Sequence, residues 1–159
     1  MTLGEHSDIV NSVVVTPNNK KLLSASTDRS IRIWDFTNGK LLSTMRDHAD
    51  AVFSISLTPD GKYLTSSSAD RSVKVWDVEA ARRLSSLNAH EDWIYNVTLS
   101  PDGRRFVSAS ADGSAKLWNF DPNNSGTAFG MRHEGAVLAS AFSADSKNFA
   151  TTSADRSRS

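Results

Sequence analysis

Short apolar stretches alternate with polar turns along this chain, and the alternation recurs at a fixed interval. Apolar-leaning segments fall at Val10 to Val15, Val52 to Leu57, Ile94 to Leu99 and Val137 to Phe142. Their apolar positions shift phase near the start, which predicts a strand with an early bulge. A turn follows each: Pro17-Asn18-Asn19, Pro59-Asp60-Gly61, Pro101-Asp102-Gly103, and Ala144-Asp145-Ser146. Proline presets the turn's φ, and Asp or Asn with Gly completes it. A strand of small residues comes next, such as Leu23-Ser24-Ala25-Ser26, then a tight turn at Asp28-Arg29. The third strand alternates strictly, as in Ile31, Arg32, Ile33 and in Val73, Lys74, Val75. A period of two puts one face in a core and the other in water. A weaker fourth strand is expected around Leu41 to Met45 and Leu84 to Leu87. No segment holds a helical period, so the chain reads as all-β with four short strands per unit.

The interval can be measured on single residues. The four histidines, His6, His48, His90 and His133, are spaced by 42, 42 and 43 residues. Asp28, Asp70, Asp112 and Asp155 keep the same spacing, and Trp34, Trp76 and Trp118 step by 42. A period of about 20 to 50 residues marks a repeat architecture. The extra residue of the third unit is expected in the loop from Asp121 to Gly126, where an insertion is tolerated.

Composition narrows the function classes. Acidic and basic residues balance at 18 each, which argues against a general nucleic-acid or membrane surface. With no cysteine there is neither a disulfide framework nor a thiolate metal site. That absence fits the cytoplasm, with the nucleus as the alternative. No apolar run approaches the ~20 residues of a membrane span.

Each unit also holds Ser, His and Asp, the ingredients of a hydrolytic triad. The sets are Ser24, His6 and Asp28; Ser66, His48 and Asp70; Ser108, His90 and Asp112; with Thr151, His133 and Asp155 in the fourth. A catalytic site is needed once, and no G-x-S-x-G elbow is present. A set that recurs with every unit belongs to the unit, so no enzyme is expected. Four histidines on separate units cannot converge on one ion, so no metal or cofactor is expected either.

A histidine, then Pro-Asp-Gly, then Ser-x-Ser-x-Asp, then Ile-x-Ile-Trp-Asp resembles the WD40 repeat, along essentially the whole chain. Trp34-Asp35 and Trp76-Asp77 match its name-giving dipeptide, and Trp118-Asn119 departs from it. The resemblance implies a partial β-propeller of four-stranded antiparallel blades, with three complete blades and a half blade. They run over about 7–47, 49–89, 91–132 and 134–159, in one domain spanning 1–159. It also implies that Asp, His, Ser or Thr, and Trp form a hydrogen-bonded structural tetrad in each blade: His6, Ser24, Asp28 and Trp34, and their equivalents.

In this family the face bearing the histidine loops is the common partner face. By that similarity Ile9 and Asn11, Phe53, Trp93 and Tyr95, and Leu138 point towards it, with Thr27, Ala51, Ala69, Ala111, Ala136 and Ala154. Trp93 lies off the 42-residue grid, so the tetrad does not account for it. Arg29 and Arg71 stand where glycine is commoner and are candidates for an acidic or phosphorylated partner. The expected function is a non-catalytic scaffold that binds a protein or peptide in a multi-subunit complex. The alternative is a regulatory or substrate-recruiting part of a larger enzyme such as a kinase or ubiquitin ligase. The fourth tryptophan would fall at position 161, beyond Ser159, and Met1-Thr2-Leu3 aligns with the end of a fourth strand. The chain is therefore expected to need the rest of a propeller, or a second copy, to close a ring.

Overall fold

The computed structural model describes residues 4–155. Met1-Thr2-Leu3, Arg156 and the rest of the C-terminal segment lie outside the described residues. Fourteen strands and no helix make up the described chain. The first sheet is β1 (Val10–Val15), β2 (Lys21–Ser26), β3 (Ser30–Asp35) and β4 (Leu41–Arg46), in that order. The second is β5 (Val52–Leu57), β6 (Tyr63–Ser68), β7 (Ser72–Asp77) and β8 (Arg82–Asn88). The third is β9 (Ile94–Leu99), β10 (Arg105–Ser110), β11 (Ser114–Asn119) and β12 (Gly126–Arg132). A two-stranded sheet follows, β13 (Val137–Phe142) with β14 (Phe149–Ser153). All pairings are antiparallel meanders, the cheapest connection for strands joined by short turns.

The early bulge is present in every blade. Pairing slips between Val10 and Ser12, between Val52 and Ser54, and between Val137 and Ala139, and at Ile94 opposite Ser110. A bulge of this kind bends the first strand and increases its local twist. First strands lie side by side, β1 beside β5, β5 beside β9, and β9 beside β13.

Blades stack through apolar faces, and each interface is its own small core. Leu23, Ile31, Ile33 and Met45 of the first blade meet Val52, Ile55, Leu64 and Trp76 of the second. Val73 of the second meets Ile94, Val97, Phe106 and Trp118 of the third. Val107, Ala109 and Ala115 of the third meet Val137, with Phe142 and Phe149 packed alongside. The central strands are accordingly the most buried, and β6 and β7 carry residues at zero exposure such as Leu64, Ser66, Val73 and Val75.

On the side opposite the histidines, the first turn of each blade also reaches its neighbour. Asn19, Gly61, Gly103 and Ser146 occupy one repeated position with φ between 55° and 70°. A Cβ on Gly61 would come within 2.8 Å of Pro17 Cδ, and one on Gly103 within 2.9 Å of Pro59 Cδ. Glycine is needed at these two positions because the proline of the preceding blade fills the space. At the fourth position Ser146 instead accepts hydrogen bonds from the preceding turn, Asp102 N–H at 3.1 Å and Arg105 at 2.8 Å.

Candidate functional site

Each blade's recurring polar residues meet in one line. In the second blade the Trp76 indole N–H donates to Ser66 Oγ at 2.8 Å. Ser66 Oγ lies 2.7 Å from His48 Nε2, and His48 Nδ1 lies 2.8 Å from Asp70 Oδ2. An indole can only donate, so the serine proton must point to His48 Nε2, and the ring proton sits on Nδ1. Every donor then faces an acceptor, running from tryptophan to carboxylate. The first blade repeats these contacts with His6 2.7 Å from Ser24 and 2.9 Å from Asp28, and Trp34 2.8 Å from Ser24. In the third, His90 is 2.7 Å from Ser108 and 3.0 Å from Asp112, and Trp118 is 2.9 Å from Ser108. In the fourth, His133 meets Thr151 at 3.0 Å and stands 3.6 Å from Asp155.

The carboxylate does more than hold the histidine. Asp70 also accepts the backbone N–H of Ala49, and both the N–H and Oγ–H of Ser72. Ser30 and Ser114 make the same contacts with Asp28 and Asp112. These three serines belong to the network and were not singled out from the sequence. Their signal was there, a serine two residues after each aspartate. Burial works against ionisation of these aspartates, but the hydrogen bonds outweigh it. His48 and Ser72 hold Asp70 well below the usual carboxylate range, and Ser30, His6 and Ser7 do the same for Asp28. Ser114 and Glu91 N–H hold Asp112 at about 2. Burial lowers the affinity of His48 and His90 for a proton, against the pull of their aspartates. The network therefore combines neutral imidazoles at His48 and His90 with ionised carboxylates. Its serine oxygens are closed to substrate: Ser24 is 4% exposed, Ser66 and Ser108 zero.

A different arrangement faces outward at the histidine-loop end. Phe53, near the start of β5, lies 6.0 Å from Trp93 and 5.7 Å from Tyr95, between ring centroids. Trp93 and Tyr95 meet edge-on at 6.4 Å. One ring comes from the second blade and two from the third, so adjacent blades build the cluster together. Trp93 remains 48% exposed, whereas Trp34, Trp76 and Trp118 are all at or below 5%. Ile9 and Leu138 are exposed on the first and fourth blades. Asn11 is exposed on the first blade and also spans a blade interface, donating to Val52 O at 2.9 Å and to Thr27 Oγ1 at 3.0 Å. Ala51 and Ala69 are buried and offer no surface. Arg29 and Arg71 are exposed at φ 69° and 67°, the left-handed conformation that Gly113 adopts at φ 79° in the third blade. Among the described residues no cluster of His, Asp and Glu could hold a metal ion, and no helix is long and apolar enough to cross a membrane.

Known proteins share this organisation. The profile of the WD domain, G-beta repeat, matches residues 1–35, 39–77, 81–119 and 129–157. The second match begins before β4 and ends with β7, so one sequence repeat straddles two sheets. Two solved structures, of U3-55K and of the RRP9 WD40 repeats, each superpose with a TM-score of 0.82 at 26% identity. Both cover 88% of this chain, which spans 44% of theirs. Nuclear distribution protein nudF 1 of Talaromyces marneffei is 48% identical over 46 residues, 28% of this chain and 10% of that protein. WD40 domains generally serve as non-catalytic scaffolds for protein interaction. With matches over all four units and a superposable fold, this chain belongs to the WD-repeat, or G-beta repeat, family.

Proposed function

We propose that the chain is a non-catalytic scaffold within a multi-subunit assembly, binding a protein or peptide through its histidine-loop face at Phe53, Trp93 and Tyr95. The aromatic cluster is the observation that carries this reading. Aromatic side chains are favoured interface anchors, and a half-exposed tryptophan braced by two further rings is already ordered for contact. The networks at His6, His48, His90 and His133 are structural tetrads in this reading. Their buried serines, already accepting an indole N–H, support a scaffold rather than a hydrolase. The units about 7–47, 49–89 and 91–132, with 134–159, act as blades of one domain.

Another arc, from further chain or a second copy, closes the ring in the same proposal. Val13 is 52% exposed on β1, and β14 pairs with β13 alone among the described residues. Apolar faces and open strand edges of this kind call for a cover. The test is a photo-crosslinking side chain placed at position 93 and, separately, at position 62 on the opposite end. Defined adducts from 93 and not from 62 are the expected result. Adducts from 62 alone would move the partner face to the other end.

A further inference from the structure

The net neutrality of the chain hides an uneven distribution of charge. The loops 5–9, 47–51, 89–93 and 133–136 carry seven acidic residues, against four arginines at the same end: Arg46 and Arg132 on the strand ends before them, and Arg29 and Arg71 on the adjoining turns. Glu5 is paired with Arg32, and Asp47 with Lys74 and Arg83. The other five, Asp8, Asp50, Glu91, Asp92 and Glu134, are exposed and take part in no ion pair among the described residues. The turns at the opposite end balance a carboxylate with a cation, as at Asp60 with Lys62 and Asp102 with Arg104. Asp92 immediately precedes Trp93, and Asp50 stands three residues before Phe53. Each spends Oδ1 on the N–H of the next residue, at 2.7 Å.

We infer that the occupant of the Phe53, Trp93 and Tyr95 surface is an extended cationic segment of polypeptide. An arginine or lysine of that segment lies across the rings, and its charge is received by Asp50 and Asp92. This rests on the reading that the histidine-loop face binds a polypeptide. Aromatic faces attract cations, and guanidinium groups stack on them. Unneutralised carboxylates on the loops that lead into Phe53 and Trp93 add charge complementarity and steer the approach. An acidic or phosphorylated segment would meet those five carboxylates. Its candidate receptors, Arg29 and Arg71, lie on the turns, and Arg71 lines a cleft with Asn88, His90 and Glu91 that includes none of the three rings.

The test selects a displayed library of random short peptides on the full chain, with Trp93→Ser as the counter-selection. Peptides enriched in arginine and lysine, lost on the Trp93→Ser chain, are expected. A selected peptide should then bind Asp50→Asn/Asp92→Asn about fivefold more weakly at low salt, with the difference shrinking as salt is raised. Asparagine keeps Oδ1 for the loop N–H and removes only the charge. Trp93-dependent peptides without a basic excess, or full binding to the double variant, would overturn the cationic occupant and leave the docking face standing. No Trp93-dependent peptide at all would overturn both.

Discussion

The second blade and the two-stranded fourth hold the same histidine, hydroxyl and aspartate at the same spacings, yet with different tightness. In the second, His48 has 1% of its side chain exposed and lies 2.7 Å from Ser66 and 2.8 Å from Asp70. In the fourth, His133 is 24% exposed, 3.0 Å from Thr151 and 3.6 Å from Asp155. The strands behind them differ likewise, since β6 is buried from Leu64 to Ser68 while β14 alternates between intermediate and exposed. Spacing along the chain therefore brings the groups together, and the cover above them sets how tightly they close. In the second blade that cover is Trp76 and the faces of both neighbouring blades.

Breaking the cover should have the largest effect. Trp76→Ala removes a side chain 2% exposed and the serine's donor, and is expected to cost about 3–5 kcal/mol in denaturant unfolding. A loss under half of that would show that the neighbouring blades alone keep the network closed. Asp70→Ala comes next. It strips His48 and Ser72 of their acceptor inside the core, at about 1–3 kcal/mol. Asp155→Ala should cost less, because water reaches His133. Equal losses at the two sites would remove burial as the cause of the difference.

Gly61→Ala tests the other end of the blade stack. The left-handed backbone alone costs a non-glycine residue about 1–2 kcal/mol, and Pro17 crowds the new methyl. An unchanged unfolding midpoint would mean that the turns slide past each other freely. The smallest expected effect is that of mild acid. Folding lowers the proton affinity of His48 and His90 below the usual 6.5, so the unfolded chain binds more protons beneath that pH. Stability should therefore fall as pH drops through 6.5. A second loss should begin below 3.8, as the low-lying carboxylates Asp28 and Asp70 are protonated more readily in the unfolded chain. Unfolding midpoints in buffered denaturant would follow both steps, and a flat response near pH 6 would show that the histidines titrate alike in the two states.

Much of this fold could be read in advance, for a physical reason. Alternation at Ile31 to Ile33, proline at 17 and 59, and the phase shift after Val52 are local signals, and each became a strand, turn or bulge where expected. The strand face expected in water is covered, however, with Arg32 and Lys74 each 7% exposed. The contacts between blades were far less legible. Ser72 was missed because a serine beside a turn looks like any other turn residue until Asp70 is seen to use all its lone pairs. Asn11 is exposed, yet its amide also donates to Val52 O of the next blade. Phe53 and Trp93 are 40 residues apart and meet only because the blades pack at this pitch, which no period in the sequence states.

The offset between the sequence repeat and the sheet has a mechanical consequence. Because the repeat 39–77 contributes β4 to one sheet and β5, β6 and β7 to the next, neighbouring sheets are stitched together by covalent chain as well as by packing. A pulling force cannot detach one repeat whole. It must first peel an outer strand from a sheet that the rest of that repeat does not occupy. Duplicating the repeat, for the same reason, adds a unit already clasped to its predecessor.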